Sequence, residues 1–221
     1  MSPNAFKVVE VSVGPANQSH ALKLKCIDDM NKAIDELFDT EPDLLDEKNI
    51  PYYGNPWPAG ITLADHMYRM GTWLEGKKVL EIGCGLAIPS LVCAHLGAQV
   101  VCTDIHPHVE TLLRENLELN EMHSNAVRFV PFLFKDFEKT IAQELGTFDF
   151  IIASDVLYEK EHPRSIAQIA KTLCAKTGHI ILVDPARNPK YLQAFVDNLK
   201  TAGFRADLQT KNDLYLFVFQ K

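Results

Sequence analysis

Two groups of residues in this sequence have the types and spacing for chemistry. The first is Glu81, Gly83, Cys84 and Gly85, with Asp104 and Ile105 closing the next apolar run. The second is Ser154, Asp155 and Tyr158, directly after the run FDFIIA at 148–153. Paired glycines let a backbone turn sharply and let a ligand approach the main chain. A helix starting there aims its free amide N–H groups at the same spot. A carboxylate at Asp104 can accept hydrogen bonds from both hydroxyls of a ribose, so a nucleoside is the natural ligand. Asp155 and Tyr158, three residues apart, can both be aimed inward by a tight turn at a strand end.

The class of nucleoside follows from what the turn lacks. A dinucleotide fingerprint calls for a third glycine three residues after the second, where this chain has Ile88 and then Pro89. Glu81 disfavours a diphosphate and favours a ligand that carries positive charge. S-adenosylmethionine has a sulfonium, an ammonium and a ribose.

The elements that position these groups are legible. Val79 to Ile82 reads as a buried strand, and Leu91, Val92, His95 and Leu96 fall at helical spacing before Gly97. Gln99 to Thr103 reads as a second buried strand. A parallel pair with a right-handed crossover is expected, and ligands of such sheets sit beyond the carboxyl ends of the strands.

With those residues in place, the chain resembles the class I, seven-stranded S-adenosylmethionine-dependent methyltransferases. ExGxG, then Asp104 at the end of the next strand, looks like their motif I. GxGxxIP, TDIHP and RENLELN at 114–120 are similar to the family 16 protein methyltransferases, mostly lysine N-methyltransferases. That group includes the type acting on the β subunit of electron-transfer flavoprotein. The resemblance covers roughly Pro51 to the C-terminus. It implies a Rossmann-like α/β sheet of order 3-2-1-4-5-7-6 with the last strand antiparallel and helices on both faces. It divides the chain into an N-terminal hairpin and helix extension, 1–50, and a methyltransferase domain, 51–221. Ala87 stands where the family usually has glycine, and close helix–strand packing is expected to survive it.

The resemblance also implies roles. Trp57, in a proline-stiffened loop, matches a loop that covers the cofactor, although a lone tryptophan is ordinarily a buried staple. Asp136 would accept from the adenine amino group and Phe137 would stack on the ring, where the family has an Asp-Trp pair. Ser154 would lie against the adenosine. DVLY at 155–158 matches an acid-x-x-Tyr signature, with Asp155 orienting the acceptor amine and Tyr158 walling its channel. Arg187, in DPARN, would shape the substrate side. The expected activity is N-methylation of a protein lysine. Methylation of a small molecule or another nitrogen, non-catalytic cofactor binding, and nicotinamide oxidoreduction are the alternatives.

Composition bounds the rest. At 221 residues and 47% hydrophobic, the chain suffices for one large domain or one domain with an appendage. A net charge of −7 argues against a nucleic-acid backbone as partner. Nothing in the sequence reads as a membrane span, a signal peptide or a transit peptide. The five cysteines show no CxxC spacing, so reduced, packed thiols and a cytoplasmic setting are expected; separately, a monomer is expected. His106 and His108 form an HxH pair without an evident third ligand, so no metal is expected and a polar surface position is the ordinary reading. Phe6–Val13 and His20–Lys25 read as a hairpin, and Met30 to Phe38 as a helix capped by Asp28 or Asp29. Acidic residues crowd from Asp28 to Glu47. They read as a solvated face or, alternatively, as an acidic lip attracting a lysine-bearing protein. Further on, Ala126–Phe134, Phe148–Ala153 and Gly178–Val183 read as strands.

Overall fold

A computed structural model of the protein describes residues 5–40 and 50–221. The acidic run is described through Asp28, Asp29, Asp35, Glu36 and Asp39; Glu41, Asp43, Asp46 and Glu47 lie outside the described residues. An antiparallel hairpin comes first, β1 (Phe6–Val13) and β2 (His20–Ile27), followed by α1 (Met30–Thr40). The Asp29 carboxylate accepts from the Lys32 amide and caps that helix.

Seven further strands form one sheet: β3 (Lys78–Ile82), β4 (Gln99–Thr103), β5 (Val127–Phe129), β6 (Phe148–Ser154), β7 (Cys174–Asp184), β8 (Arg205–Lys211) and β9 (Leu214–Gln220). Their spatial order is β5-β4-β3-β6-β7-β9-β8. Counted within the sheet this is 3-2-1-4-5-7-6, as expected. Only β9 runs against its neighbours. Helices α2 (Pro58–Met70), α3 (Ile88–His95), α4 (Val109–Leu119), α5 (Lys139–Leu145), α6 (His162–Leu173) and α7 (Pro189–Thr201) cover the faces. One apolar cluster packs α2, α3 and α4 on one side of the sheet, and another packs α6 and α7 on the other. Central strands are buried on both faces, which is why they read as unbroken apolar runs.

The hairpin shares the first of these clusters through Val13, Leu22, Leu24, Cys26 and Ile27. Its outer edge is held by side chains. Asn116 Oδ1 accepts from the Lys25 amide at 2.7 Å, and Asn120 Oδ1 from the Lys23 amide at 2.9 Å. Asn120 Nδ2 donates back to the Lys23 carbonyl at 2.7 Å. Spaced four residues apart, the two asparagines share one face of α4 and meet alternate residues of the strand. That is the structural work of the RENLELN stretch.

Several boundaries differ from the sequence reading. The third strand of the sheet is short, because Val130 makes the last ladder-side bond, to the Cys102 carbonyl, and Pro131 then has no N–H to offer. The segment to Phe134 leaves the sheet, and α5 is a helix the periodicity did not disclose. β7 begins at Cys174 rather than Gly178, with a register irregularity opposite Phe148 and Phe150.

Candidate functional site

At the carboxyl edge of β3, Gly83 and Gly85 both adopt positive φ, +66° and +50°. Neither position has room for a side chain. A Cβ on Gly83 would lie 2.8 Å from Val156 Cγ1, and one on Gly85 would lie 3.1 Å from the Tyr53 carbonyl oxygen. The tightness at Gly85 therefore comes from a neighbouring loop as much as from any ligand. Ala87 also has positive φ, +56°. Glycine suits this position because of its backbone angle, whereas the sequence reading weighed only packing.

Asp104 ends β4 and is held by three backbone amides. Gly85 donates to Oδ2 at 2.9 Å, while Ile105 and His106 donate to Oδ1 at 2.7 and 3.1 Å. Burial raises its pKa, and those three bonds oppose the rise. Tyr53 packs its ring on His106 with centroids 3.9 Å apart. Burial, then the charge of Asp104, pushes the Tyr53 hydroxyl up to about 12. His106 is thus a buried stacking partner and not the polar surface residue expected.

These groups border a cavity of about 360 Å³, a size suited to a nucleoside-type ligand. Trp57, Gly83, Cys84, Gly85, Asp104, Ile105, Ser154, Asp155 and Tyr158 all line it. The structure thus brings nine of the twelve expected site residues to one wall system. Burial raises the Cys84 thiol well above its ordinary value, so it lines the cavity as a neutral group.

Three expected residues stand elsewhere. Glu81 is 1% exposed and lies behind the glycine turn, where its Oε2 accepts from the Ser90 amide and hydroxyl. Burial pushes it up to about 8. Among the described residues its Oε1 has no hydrogen-bond partner. Asp136 is exposed and off the cavity wall, and Phe137 packs against Phe132 in the apolar cluster. The early end of β5 shifts the chain, so Phe132, Leu133, Phe134 and Lys135 take the wall instead. Phe134 sits beside Gly83 and meets the His162 ring edge-on at 5.2 Å.

The opposite end of the cavity is built where β6 and β7 run side by side. Asp155 follows β6 with φ +52°, and its amide donates to the Val183 carbonyl at 3.0 Å. That backbone turns the carboxylate toward Arg187, which follows β7. Nε donates to Oδ1 at 2.8 Å and Nη2 to Oδ2 at 2.6 Å, a bidentate pair. The guanidinium also lies over the Trp57 ring, 5.3 Å from its centroid. Asp184, 3% exposed, completes this cluster; burial, together with the nearby Asp155 charge, pushes it up to about 6. Tyr158 is half exposed, with its ring edge-on to His162 at 4.9 Å. His162 places Nδ1 2.8 Å from the Val156 carbonyl, and a carbonyl can only accept, so Nδ1 carries a proton.

His162, Phe134 and the Asp155 partnership of Arg187 were not foreseen. The DPARN motif drew attention to Arg187, but its partner lies 32 residues earlier in the chain.

A glycine turn, a carboxylate at the next strand end and a cavity beyond the carboxyl edge define a Rossmann-like protein with a nucleoside-type site. A family model described as lysine methyltransferase matches residues 46–202, and the chain belongs to that family. Among individual relatives, it is 30% identical over 129 residues to protein N-lysine methyltransferase METTL21A of Xenopus tropicalis, covering 57% of each chain. It is 32% identical over 126 residues to histone-arginine methyltransferase METTL23 of Mus musculus, covering 56% of this chain and 49% of that one. The chain spans about half the length of the curated relatives it matches. Among solved structures, the T. thermophilus 16S rRNA methyltransferase RsmC, in complex with AdoMet and guanosine, superposes with TM-score 0.65 at 16% identity. That match covers 99% of this chain and 51% of the other. A ribosomal protein L11 methylase of Lactobacillus delbrueckii superposes with TM-score 0.55 at 21% identity, covering 72% and 77%.

Proposed function

We propose that this chain is an S-adenosylmethionine-dependent N-methyltransferase that modifies a lysine side chain of a protein. The reading is carried by one observation: a single cavity has the Gly83–Gly85 turn and Asp104 in its wall together with Asp155 and Tyr158. Family membership supports it. The residues fit the cofactor. Asp104, on the cavity wall, keeps acceptor capacity beyond its three amides for a ribose hydroxyl. Trp57, Cys84, Ile105 and Ser154 would wall the ligand, with Phe134 in the ring-stacking place expected of Phe137. The methyltransferase unit is assigned to 51–221 and an N-terminal extension to 1–50, whose hairpin packs on that unit. The reduced, buried cysteines favour a cytoplasmic setting.

When bound, S-adenosylmethionine supplies a methyl group already activated on a sulfonium. The chain's own task is to align an acceptor nitrogen and exclude water. A lysine amine must be neutral to attack, and at pH 7 an unperturbed one, with pKa about 10.4, is neutral roughly once in a few thousand. Asp155 would accept an N–H of that amine and set its direction. Tyr158 would wall the channel with its ring and stabilise the developing cation.

A second reading, arginine methylation, is favoured by the METTL23 match and by an Asp155 carboxylate that already receives a guanidinium in bidentate fashion. Radiolabelled cofactor incubated with the protein and cell lysate decides between them, with mass spectrometry of the labelled band. Label on lysine is expected for the wild type and none for Asp155→Asn, which tolerates the positive φ. Equal label from both proteins, or cofactor binding with no labelled protein, overturns the proposal.

A further inference from the structure

A carboxylate in an amine channel poses a problem of sign. A bare Asp155 would bind the ammonium form and hold its proton, which opposes attack. We propose that Arg187 is a positioning residue that neutralises Asp155 from outside the cavity, so that the carboxylate aligns a neutral amine instead of trapping a cation. The inference rests on the methyltransferase reading and assigns a role to a residue that reading does not use.

Four observations carry it. Asp155 lines the cavity and Arg187 does not, so the guanidinium pairs with the carboxylate without occupying the channel. The pairing is bidentate, which fixes the carboxylate plane, while each oxygen keeps a second lone pair for an amine N–H. Arg187 is itself held in place by the Trp57 ring. The pair runs from solvent to the cavity wall, with Arg187 51% exposed and Asp155 11%. Its geometry serves the site.

Other charged and titratable groups face this pair, and the nearest carboxylate, Asp184, is ionised above about pH 6 but does not line the cavity. Asp184 lies on the β7 side, next to both Asp155 and Arg187, and Tyr52 acts on Arg187 from the loop before α2. Tyr158, Glu159, Lys160, Glu161 and His162 follow Asp155 along the cavity edge, with Asp104 and Lys135 also on the cavity wall. Arg187 is the group among them that bonds Asp155 through two N–H donors.

The test uses n-butylamine as a probe of the lysine side chain and needs no identified acceptor. Trp57 fluorescence reports binding in a Trp73→Phe background, where Trp57 is the remaining tryptophan. If the wild-type site selects the neutral amine, its affinity rises about tenfold per pH unit between pH 7 and 9, following the neutral fraction. Arg187→Gln should bind the ammonium, with affinity nearly flat over that range. Arg187→Lys keeps the charge and should keep the wild-type slope, so it serves if the glutamine variant unfolds. Asp155→Asn should abolish the difference that Arg187 makes. The same slope in wild type and Arg187→Gln overturns the proposal, as does a failure of the amine to bind either protein. Calorimetry with S-adenosylmethionine, run separately, tests the underlying reading: lost cofactor binding with an intact amine slope would sink the enzyme assignment and leave this pairing standing.

Discussion

The Gly85 amide donates to the Asp104 carboxylate at 2.9 Å, fastening the turn after β3 to the end of β4. One hydrogen bond thus joins the two strand ends that build the ligand edge. With Ile105 and His106 also donating, one side chain sets the direction of three backbone groups. Replacing Asp104 with Ala should cost stability of about 1–3 kcal/mol, because buried donors lose their acceptor. It should also weaken S-adenosylmethionine at least tenfold. Denaturant unfolding and calorimetry check the two effects, and unchanged affinity would remove Asp104 from the ribose role.

Gly85→Ala should be worse than Gly203→Ala, although both have positive φ. At Gly203, the left-handed cap after α7, nothing lies within 4 Å of an added Cβ, so only the backbone cost of about 1–2 kcal/mol applies. At Gly85 the new methyl meets the Tyr53 backbone, and the loop carrying Tyr53 must shift. Paired unfolding curves should separate the variants by about 1 kcal/mol or more.

The hairpin's attachment can be loosened at α4. Asn116 is fully buried and Asn120 is not, so Asn116→Ala should cost more, about 1–3 kcal/mol against roughly 1. Amide hydrogen exchange should quicken at Lys25 in the first variant and at Lys23 in the second. Unaltered exchange at both would mean that apolar packing alone holds the hairpin.

Glu81 makes a prediction about pH. Its folded pKa, about 8, lies above its ordinary 4.5 because burial disfavours the charge. The folded state thus binds more protons than the unfolded state between those values. This contribution to stability is complete below about pH 4.5 and is lost as pH rises through 8. Wild type should lose stability relative to Glu81→Gln as pH climbs from 5 to 8.5, by thermal unfolding. A cationic ligand favours the ionised form, so S-adenosylmethionine binding should release a proton and tighten with pH up to about 8. Calorimetry in buffers of different ionisation enthalpy reads that proton, and its absence would disconnect Glu81 from the ligand.

The legible half of this protein is local. Residues 79–104 reveal strand, turn, helix and strand because buried parallel strands leave continuous apolar runs and glycine marks the turn between them. The same locality exposed Ser154, Asp155 and Tyr158 at the end of β6, and all three line the cavity. Misreadings began where a single residue broke a pattern. Pro131 ended β5 early, and Phe134 lines the cavity where Phe137 was expected to.

By itself the sequence determined the sheet order, through its resemblance, and which strand ends carry polar groups, through periodicity and glycine placement. Only the tertiary structure decided who pairs with whom. Asp155 meets Arg187 across 32 residues, and Lys25 meets Asn116 across 91. The reason is physical: hydrophobic periodicity records which face of a segment is buried, whereas a hydrogen bond between distant side chains depends on where two chain ends converge once the sheet has assembled.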